Sequence, residues 1–450
     1  MVGSILITAW FVAHLESKPT SSTPTQPVET SSSKPLVVSP GSGVFTNTAP
    51  TESIGTRNEA ICPGCDVLLI TLCSLRRDHV GAYGNGLGLT PHLDALAQQG
   101  IRFDSAYAAS PFTLASLTSV LTGRFPATHG VMGWDRGLVK NVPTLPEVLG
   151  YYGYKTAGFT IDAASGFRPD YGLDRGFQHL EITPAPSETP DGRRPGQPVV
   201  ATGASAVPAA RWIEKQEPGQ PLFVMFHSRT AHFPFLVSDS DLDEDSTGIH
   251  KMLFESGGPV VGSPSDVAMP GMSGGTQAKG VVDNTGGDPL IDAMAEGGPA
   301  ATEAWRSAYA QAVARADKDI GVLLEAIQSR ERPTLVIAVA DHGESINDHG
   351  EMLHGDAYFD GVIHVPLVVS LPGHKSESSK ALVSHVDLMP TILDLVGATE
   401  PAEIDGTSLA DLIQNQAGSV RSTAFVEGGV ARSNLTQVRG AVISPPWALL

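Results

Sequence analysis

Five short apolar runs punctuate the chain: Asp66–Leu72, Lys155–Thr160, Leu222–Phe226, Thr334–Ala340 and Val365–Leu371. Each is rich in β-branched or aromatic residues and bounded by polar or turn-forming ones, the pattern of a buried strand. Between them the period changes to that of a helix. Thr90-Pro91 is a helix start with Gly100 as its stop, and Leu93 and Leu96 mark the inner face. A second helix is predicted from about Thr113, with Leu114, Leu117 and Leu121 at helical spacing. The strongest amphipathic stretch runs from Ala304 to Gln328, with Tyr309, Val313, Ala316, Ile320, Leu323 and Ile327 on one stripe. Asp387–Val396 is a further helix. Strands separated by helices predict an α/β fold whose central sheet is mostly parallel and flanked by helices.

Two stretches break this pattern. Residues 238–299 are rich in Gly, Ser and Asp and show no period, so they read as a long surface insertion. Residues 1–64 begin with an apolar run, Ile5 to Ala13, too short to span a bilayer comfortably, with no Lys or Arg before it. A Ser-, Thr- and Pro-rich tether follows, from about Ser17 to Gly64. An apolar start followed by such a tether predicts an exported protein carrying a signal or N-terminal anchor and no other membrane span.

The 450 residues suffice for one large α/β domain or two smaller ones, and 41% are hydrophobic. The formal charge of −19 argues against a nucleic-acid or anionic-membrane surface. It leaves a small anionic substrate open, because a metal ion reverses the local field. Three cysteines, at 62, 65 and 73, cannot build a disulfide framework. Cys62 and Cys65 read as a local disulfide or as two idle thiols.

The candidate chemistry begins where the run Thr334–Ala340 breaks into Asp341-His342-Gly343-Glu344. Ligands of open α/β sheets bind at the C-terminal ends of strands, and Asp and His are metal-binding side chains. Gly343 would let the backbone turn away sharply. Four other segments complete an ordered set. Leu72-Cys73-Ser74-Leu75-Arg76-Arg77-Asp78-His79 ends the first strand, and Ser110-Pro111-Phe112-Thr113-Leu114-Ala115-Ser116 leads to Thr122-Gly123-Arg124 and His129-Gly130. Phe226-His227 leads to His232-Phe233-Pro234. Val386-Asp387-Leu388-Met389-Pro390-Thr391 leads to Asp405-Gly406-Thr407, and His349 and His354 follow the Asp341 segment.

Together these segments resemble the sulfatase family of the alkaline-phosphatase superfamily, over about Asp66 to Leu450 apart from the Gly-rich insertion. The resemblance implies a large α/β sandwich with a catalytic domain over residues 65–400 and a small C-terminal subdomain, here partial, over 401–450. It implies a divalent cation beside a nucleophile that attacks sulfur or phosphorus, forming a covalent ester that water releases. Asp341 and His342 fall at the family's metal positions, Thr113 at its nucleophile position, and His232, His349 and His354 at substrate contacts.

The chain departs from that pattern in three places. The nucleophile of the family's Cys/Ser-x-Pro-Ser-Arg motif is Thr113, its Pro is Ala115 and its Arg is Leu117, and Ser116 alone matches. Thr cannot become formylglycine, so its ester must be cleaved by direct attack at sulfur or phosphorus, which shifts weight towards phosphate esters. The metal-binding Asp that ends the first strand is Cys73, readable as a soft ligand that favours zinc or as a small buried side chain. A Lys common after the next strand is missing from Thr156-Ala157-Gly158-Phe159-Thr160, so the pocket loses cations.

Two functions follow from this reading. In the first, the chain is a metal-dependent hydrolase or transferase of sulfate or phosphate esters. Thr113, His232 and His354 are catalytic, and Asp341, His342, Cys73 and Thr113 hold one divalent ion, drawn from Zn, Mn, Ca and Mg, with Zn favoured where Cys73 is a ligand. In the second, three altered positions mark a catalytically degenerate member that binds a ligand or partner.

Overall fold

A computed structural model of the chain describes residues 60–160, 166–183, 206–232, 289–355, 357–415, 419–428, 440–444 and 447–449. The predicted signal and most of the tether, and residues 238–288 of the predicted insertion, lie outside the described residues.

Eight strands form one sheet in the order β10-β2-β9-β6-β1-β5-β3-β4. They are β1 (Asp66–Leu72), β2 (Ile101–Tyr107), β3 (Lys155–Thr160), β4 (His179–Ile182), β5 (Leu222–Ser228), β6 (Thr334–Ala340), β9 (Leu367–Ser370) and β10 (Glu377–Ser384). The pairings β1/β5, β1/β6, β3/β5, β3/β4 and β2/β10 are parallel, and only β9 runs against its neighbours β2 and β6. The sheet is therefore mostly parallel, as the alternation of strands and helices requires. β1 and β5 are buried along their whole length, because a parallel sheet is covered on both faces.

The predicted runs recur as strands with small changes of boundary. β5 extends two residues beyond the predicted end, and the Val365–Leu371 run shortens to β9. Helices α1 (Pro91–Ala97) and α2 (Thr113–Thr122) start where proposed, and α2 stops at Gly123 in the left-handed conformation. The helix predicted from Ala304 begins at Pro289 instead and runs to Gln328. It is interrupted at Gly298 (φ 59°, ψ −149°), just before Pro299. The insertion thus gives way to helix by Pro289, ten residues before its predicted end. All six residues of the predicted stripe are buried.

Residues 401–450 carry a second, three-stranded antiparallel sheet: β11 (Ala424–Glu427), β12 (Gly440–Ser444) and β13 (Trp447–Leu449). A two-stranded hairpin, β7 (Ser345–Asp348) and β8 (Glu351–Leu353), follows β6. Cys62 and Cys65 form a disulfide. At the N-terminal end of β1, buried Asp66 pairs with Arg330 (2.7 Å) and Arg332 (3.1 Å). Charges at that end of the sheet neutralise one another, while the opposite end carries the candidate chemistry.

Candidate active site

The site is built where β5, β1 and β6 end side by side. Leu72 is in register with Ser228 on one side and with Ala340 on the other. The ladders continue one step further: the Cys73 N–H donates to the Ser228 carbonyl (2.8 Å) and the Asp341 N–H to the Leu72 carbonyl (3.3 Å). Cys73, His227 and Asp341 therefore emerge together, all fully buried or nearly so. Ser74 turns the chain away at φ 60°, a left-handed conformation unfavourable for a residue with a side chain. Its N–H donates to Asp341 Oδ1 (3.2 Å).

Gly343 is needed for a different reason from the one its sequence position suggests. It is not among the residues with positive φ, and a Cβ there would overlap the carbonyl oxygen of Gly361. Close approach of the 360s segment, and not a left-handed turn, excludes a side chain.

Thr113 opens α2, after Phe112 in extended conformation at the N-cap. The first N–H groups of the helix and its positive dipole end face the same region. Ser116, one turn on, donates to the Asp341 carbonyl (2.6 Å) and lies 2.9 Å from Nδ1 of His385, whose Nε2 donates to the Ala340 carbonyl (2.9 Å). Burial pushes the His385 pKa down to about 4, so it serves as a neutral brace. The one retained residue of the nucleophile motif thus ties α2 to the end of β6.

The Thr113 hydroxyl sits between two groups. It is 3.4 Å from Cys73 Sγ and 3.0 Å from His342 Nε2. His342 Nδ1 is 2.8 Å from the Gly343 carbonyl, which can only accept, so Nδ1 carries the ring proton. Nε2 then presents its lone pair to the Thr113 O–H. Burial holds His342 neutral, pushing its pKa down to about 3 against the opposing pull of Asp341. Burial works to raise the Asp341 pKa, yet the net direction is down, and the His342 N–H donated to Oδ1 is among the groups that favour the carboxylate. Burial pushes the Cys73 thiol well up, and Asp341 adds to this, while Arg229 works in the opposite direction.

The expected metal donors divide. Cys73, His227 and Asp341 each offer one donor atom, and these lie within 4.8 Å of one another. Asp341 Oδ1 takes the Ser74 and His342 amides, whereas Oδ2 is buried and makes no hydrogen bond among the described residues. A buried carboxylate oxygen left unsatisfied beside a thiol and an imidazole is the arrangement a cation completes, so these residues fit the ion that the family resemblance implies. His342 is 3.6 Å from Asp341 Oδ2 but is not part of that three-residue group, and its Nε2 faces Thr113. His227 directly follows the apolar run Leu222–Phe226 and falls within β5. Only the β1/β5 register brings it to the site.

The remaining histidines form a chain of rings. His354 lies 4.2 Å from His342 and 4.8 Å from His232, centroid to centroid. His354 Nδ1 donates to Oε1 of fully buried Glu344 (2.9 Å), so Nε2 is left to act on a ligand. Leu353, just before it, is held at φ 67°. His349 is exposed, and its ring lies tilted beside Phe359 (4.2 Å between centroids). The sequence also passed over Arg229. Its guanidinium lies 3.0 Å from His232 Nε2 and acts electrostatically on Cys73. The pocket therefore keeps a cation despite the lost Lys and Arg.

A family model described as Sulfatase matches residues 66–398, the stretch that supplies every one of these side chains. The chain belongs to the sulfatase family. Among sulfatases of known name, it is similar to an arylsulfatase of Clostridium perfringens (23% identical, covering 78% of this chain and 79% of that one). It is also similar to a Delta 4,5-hexuronate-2-O-sulfatase of Bacteroides thetaiotaomicron (25% identical, 78% and 72% covered). The fold matches that of a phosphonate monoester hydrolase of Agrobacterium radiobacter, with TM-score 0.61, 21% identity, and 84% and 87% covered. A putative sulfatase from Bacteroides thetaiotaomicron gives TM-score 0.63, 22% identity, and 86% and 82% covered. The sheet and its helical layers are thus the alkaline-phosphatase-like sandwich, and the residues that differ sit on a shared scaffold.

Proposed function

We propose that this sulfatase-family chain hydrolyses a small sulfate or phosphate ester through Thr113. The observation that carries the reading is the placement of the Thr113 hydroxyl, at the start of α2 and 3.0 Å from a neutral imidazole nitrogen. An O–H in that setting loses its proton to His342 Nε2 as the oxygen attacks, and the His342 Nδ1–H stays on the Gly343 carbonyl. The new bond joins Thr113 Oγ to sulfur or phosphorus, and the bond to the leaving oxygen breaks. Amide N–H groups at the start of α2 stabilise the non-bridging oxygens. His354, held by Glu344, or His232 beside it gives the departing oxygen its proton. Water then attacks sulfur or phosphorus directly and gives a proton to the imidazole that protonated the first leaving group; the Thr113 oxygen leaves, regaining its proton from His342, and the sulfate or phosphate anion is released.

Asp341 and Cys73, with His227, are the residues that would hold a divalent ion, whose charge would offset the repulsion between an anionic ester and an incoming oxyanion. The relatives' names support sulfate esters, and the phosphonate monoester hydrolase fold supports a phosphorus centre equally. We also read the chain as exported, on its apolar start and Ser/Thr/Pro-rich tether, and the Cys62–Cys65 disulfide is consistent with an oxidising compartment.

The test is turnover of aryl sulfate, aryl phosphate and aryl phosphonate monoesters by purified protein and by Thr113→Ala. Hydrolysis of at least one, lost in the variant, supports the reading. Hydrolysis that survives in Thr113→Ala removes the nucleophile assignment. No hydrolysis of any ester, with a folded protein that still binds sulfate or phosphate, favours the degenerate binding member.

A further inference from the structure

The three donors that end β1, β5 and β6 are chemically unlike: a thiol, an imidazole and a carboxylate. Each is buried, and His227 and Asp341 are aimed by neighbours. The Thr71 hydroxyl lies 2.9 Å from His227 Nδ1 and donates to the Phe226 carbonyl (3.3 Å). Its single proton is spent on that carbonyl, so it accepts from Nδ1–H, and Nε2 is the nitrogen that can ligate. Asp341 Oδ1 is taken up by two amides, which leaves Oδ2 to do the same.

We propose that Cys73, His227 and Asp341 form a thiophilic metal site that takes Zn2+ or another borderline-soft divalent ion in preference to Mg2+ or Ca2+, with Thr71 as the residue that fixes the ligating tautomer of His227. The proposal rests on the reading of one ion beside Thr113 and deepens it by naming the ion's class and the residue that fixes the ligating nitrogen of His227.

Ligand chemistry and distance agree on this. Mg2+ and Ca2+ select oxygen donors in sets of six or more, whereas sulfur and imidazole nitrogen suit zinc in sets of three or four. Zinc bonds run to about 2.3 Å for sulfur and about 2.0–2.2 Å for nitrogen and oxygen, so at tetrahedral angles two donors on one ion stand about 3.3–3.6 Å apart. The observed set, within 4.8 Å, needs a closure of up to about an ångström, within reach of side-chain rotation about χ1 and χ2. Three protein ligands leave one position open, as in catalytic zinc sites. The Thr113 oxygen lies 3.4 Å from Cys73 Sγ, beside the three donors.

The experiment uses the full chain, stripped with a chelator and titrated calorimetrically with Zn2+, Mg2+ and Ca2+, and with Co2+ by absorption. One Zn2+ per chain should bind orders of magnitude more tightly than Mg2+ or Ca2+, and bound Co2+ should show a sulfur-to-metal charge-transfer band. Cys73→Ser should erase the band. Thr71→Val should weaken Zn2+ binding by about 10–100-fold. Cys73→Asp should erase the band and shift preference towards Mg2+ and Ca2+. Circular dichroism on each variant separates lost binding from lost folding. Preference of the wild type for Ca2+ or Mg2+, or a cobalt spectrum unchanged in Cys73→Ser, overturns the thiophilic site and leaves the Thr113 hydrolase standing. Thr113-dependent turnover with no divalent ion bound at all overturns every metal assignment and leaves the nucleophile. Absence of both metal and turnover ends both readings.

Discussion

The Thr113 hydroxyl donates across 3.0 Å to Nε2 of His342, although the two residues lie 229 positions apart in the chain. The geometry pairs a candidate nucleophile with a base whose proton is already fixed on its far nitrogen. Thr113→Ala should therefore lower kcat by at least about a thousandfold, as loss of a nucleophile does. Thr113→Ser should keep part of the activity, because the oxygen remains. Single-turnover kinetics on an aryl ester would check both.

Glu344 is expected to act through His354. Glu344→Gln removes the charge behind the imidazole but keeps an acceptor, so kcat should fall by about 10–100-fold with little change in KM. Esters with better leaving groups should suffer less, since they need less protonation. A uniform loss across all leaving groups would show that Glu344 only supports folding.

Ser116→Ala should loosen the brace between α2 and β6. It leaves the buried Asp341 carbonyl without its side-chain donor, at a cost of about 1–3 kcal/mol in urea unfolding. His385→Ala should be no more than additive with it if the two residues act separately, and less than additive if they form one brace.

Gly343→Ala should destabilise the fold by about 1–3 kcal/mol, because the added methyl meets the Gly361 backbone. A Gly343→Ala protein as stable as the parent would show that the 360s segment yields.

His129 offers a pH signature away from the site. Its Nδ1 accepts from the Val131 N–H and its Nε2 donates to Ser119, so it is built to be neutral. Burial pushes its pKa down to about 3. The unfolded value is about 6.5, so the unfolded chain takes up the extra proton between these limits. The stability contribution is present above about pH 6.5 and is lost as pH falls towards 3, by about 1.4 kcal/mol per pH unit. Urea unfolding from pH 7 to pH 5 should show a shallower fall for His129→Gln than for the parent.

How much of this was legible in the sequence follows from burial. β1, β3 and β6 match their predicted runs end to end, because strands inside a parallel sheet are buried along nearly their whole length. β2, β4 and β10 carry no such run in the sequence. β10 lies on the sheet edge and reads Glu-Ser-Ser-Lys over its exposed half, where no hydrophobic pattern survives. The motifs delivered Thr113, Asp341 and His342 to one place. They could not show that His342 would face the hydroxyl while His227 joined Cys73 and Asp341, since that depends on strand register. Arg229 carried no signal beyond lying between two histidines of one motif.

The side-by-side endings of β5, β1 and β6 have an evolutionary consequence. Each reactive group is a single position mounted on a rigid rail whose backbone ladder is indifferent to the side chain it carries. Exchanging one group re-specifies the chemistry without reopening the question of how the chain folds. The side chains at these strand ends can therefore be exchanged by isolated point changes, each tolerated by an unchanged core.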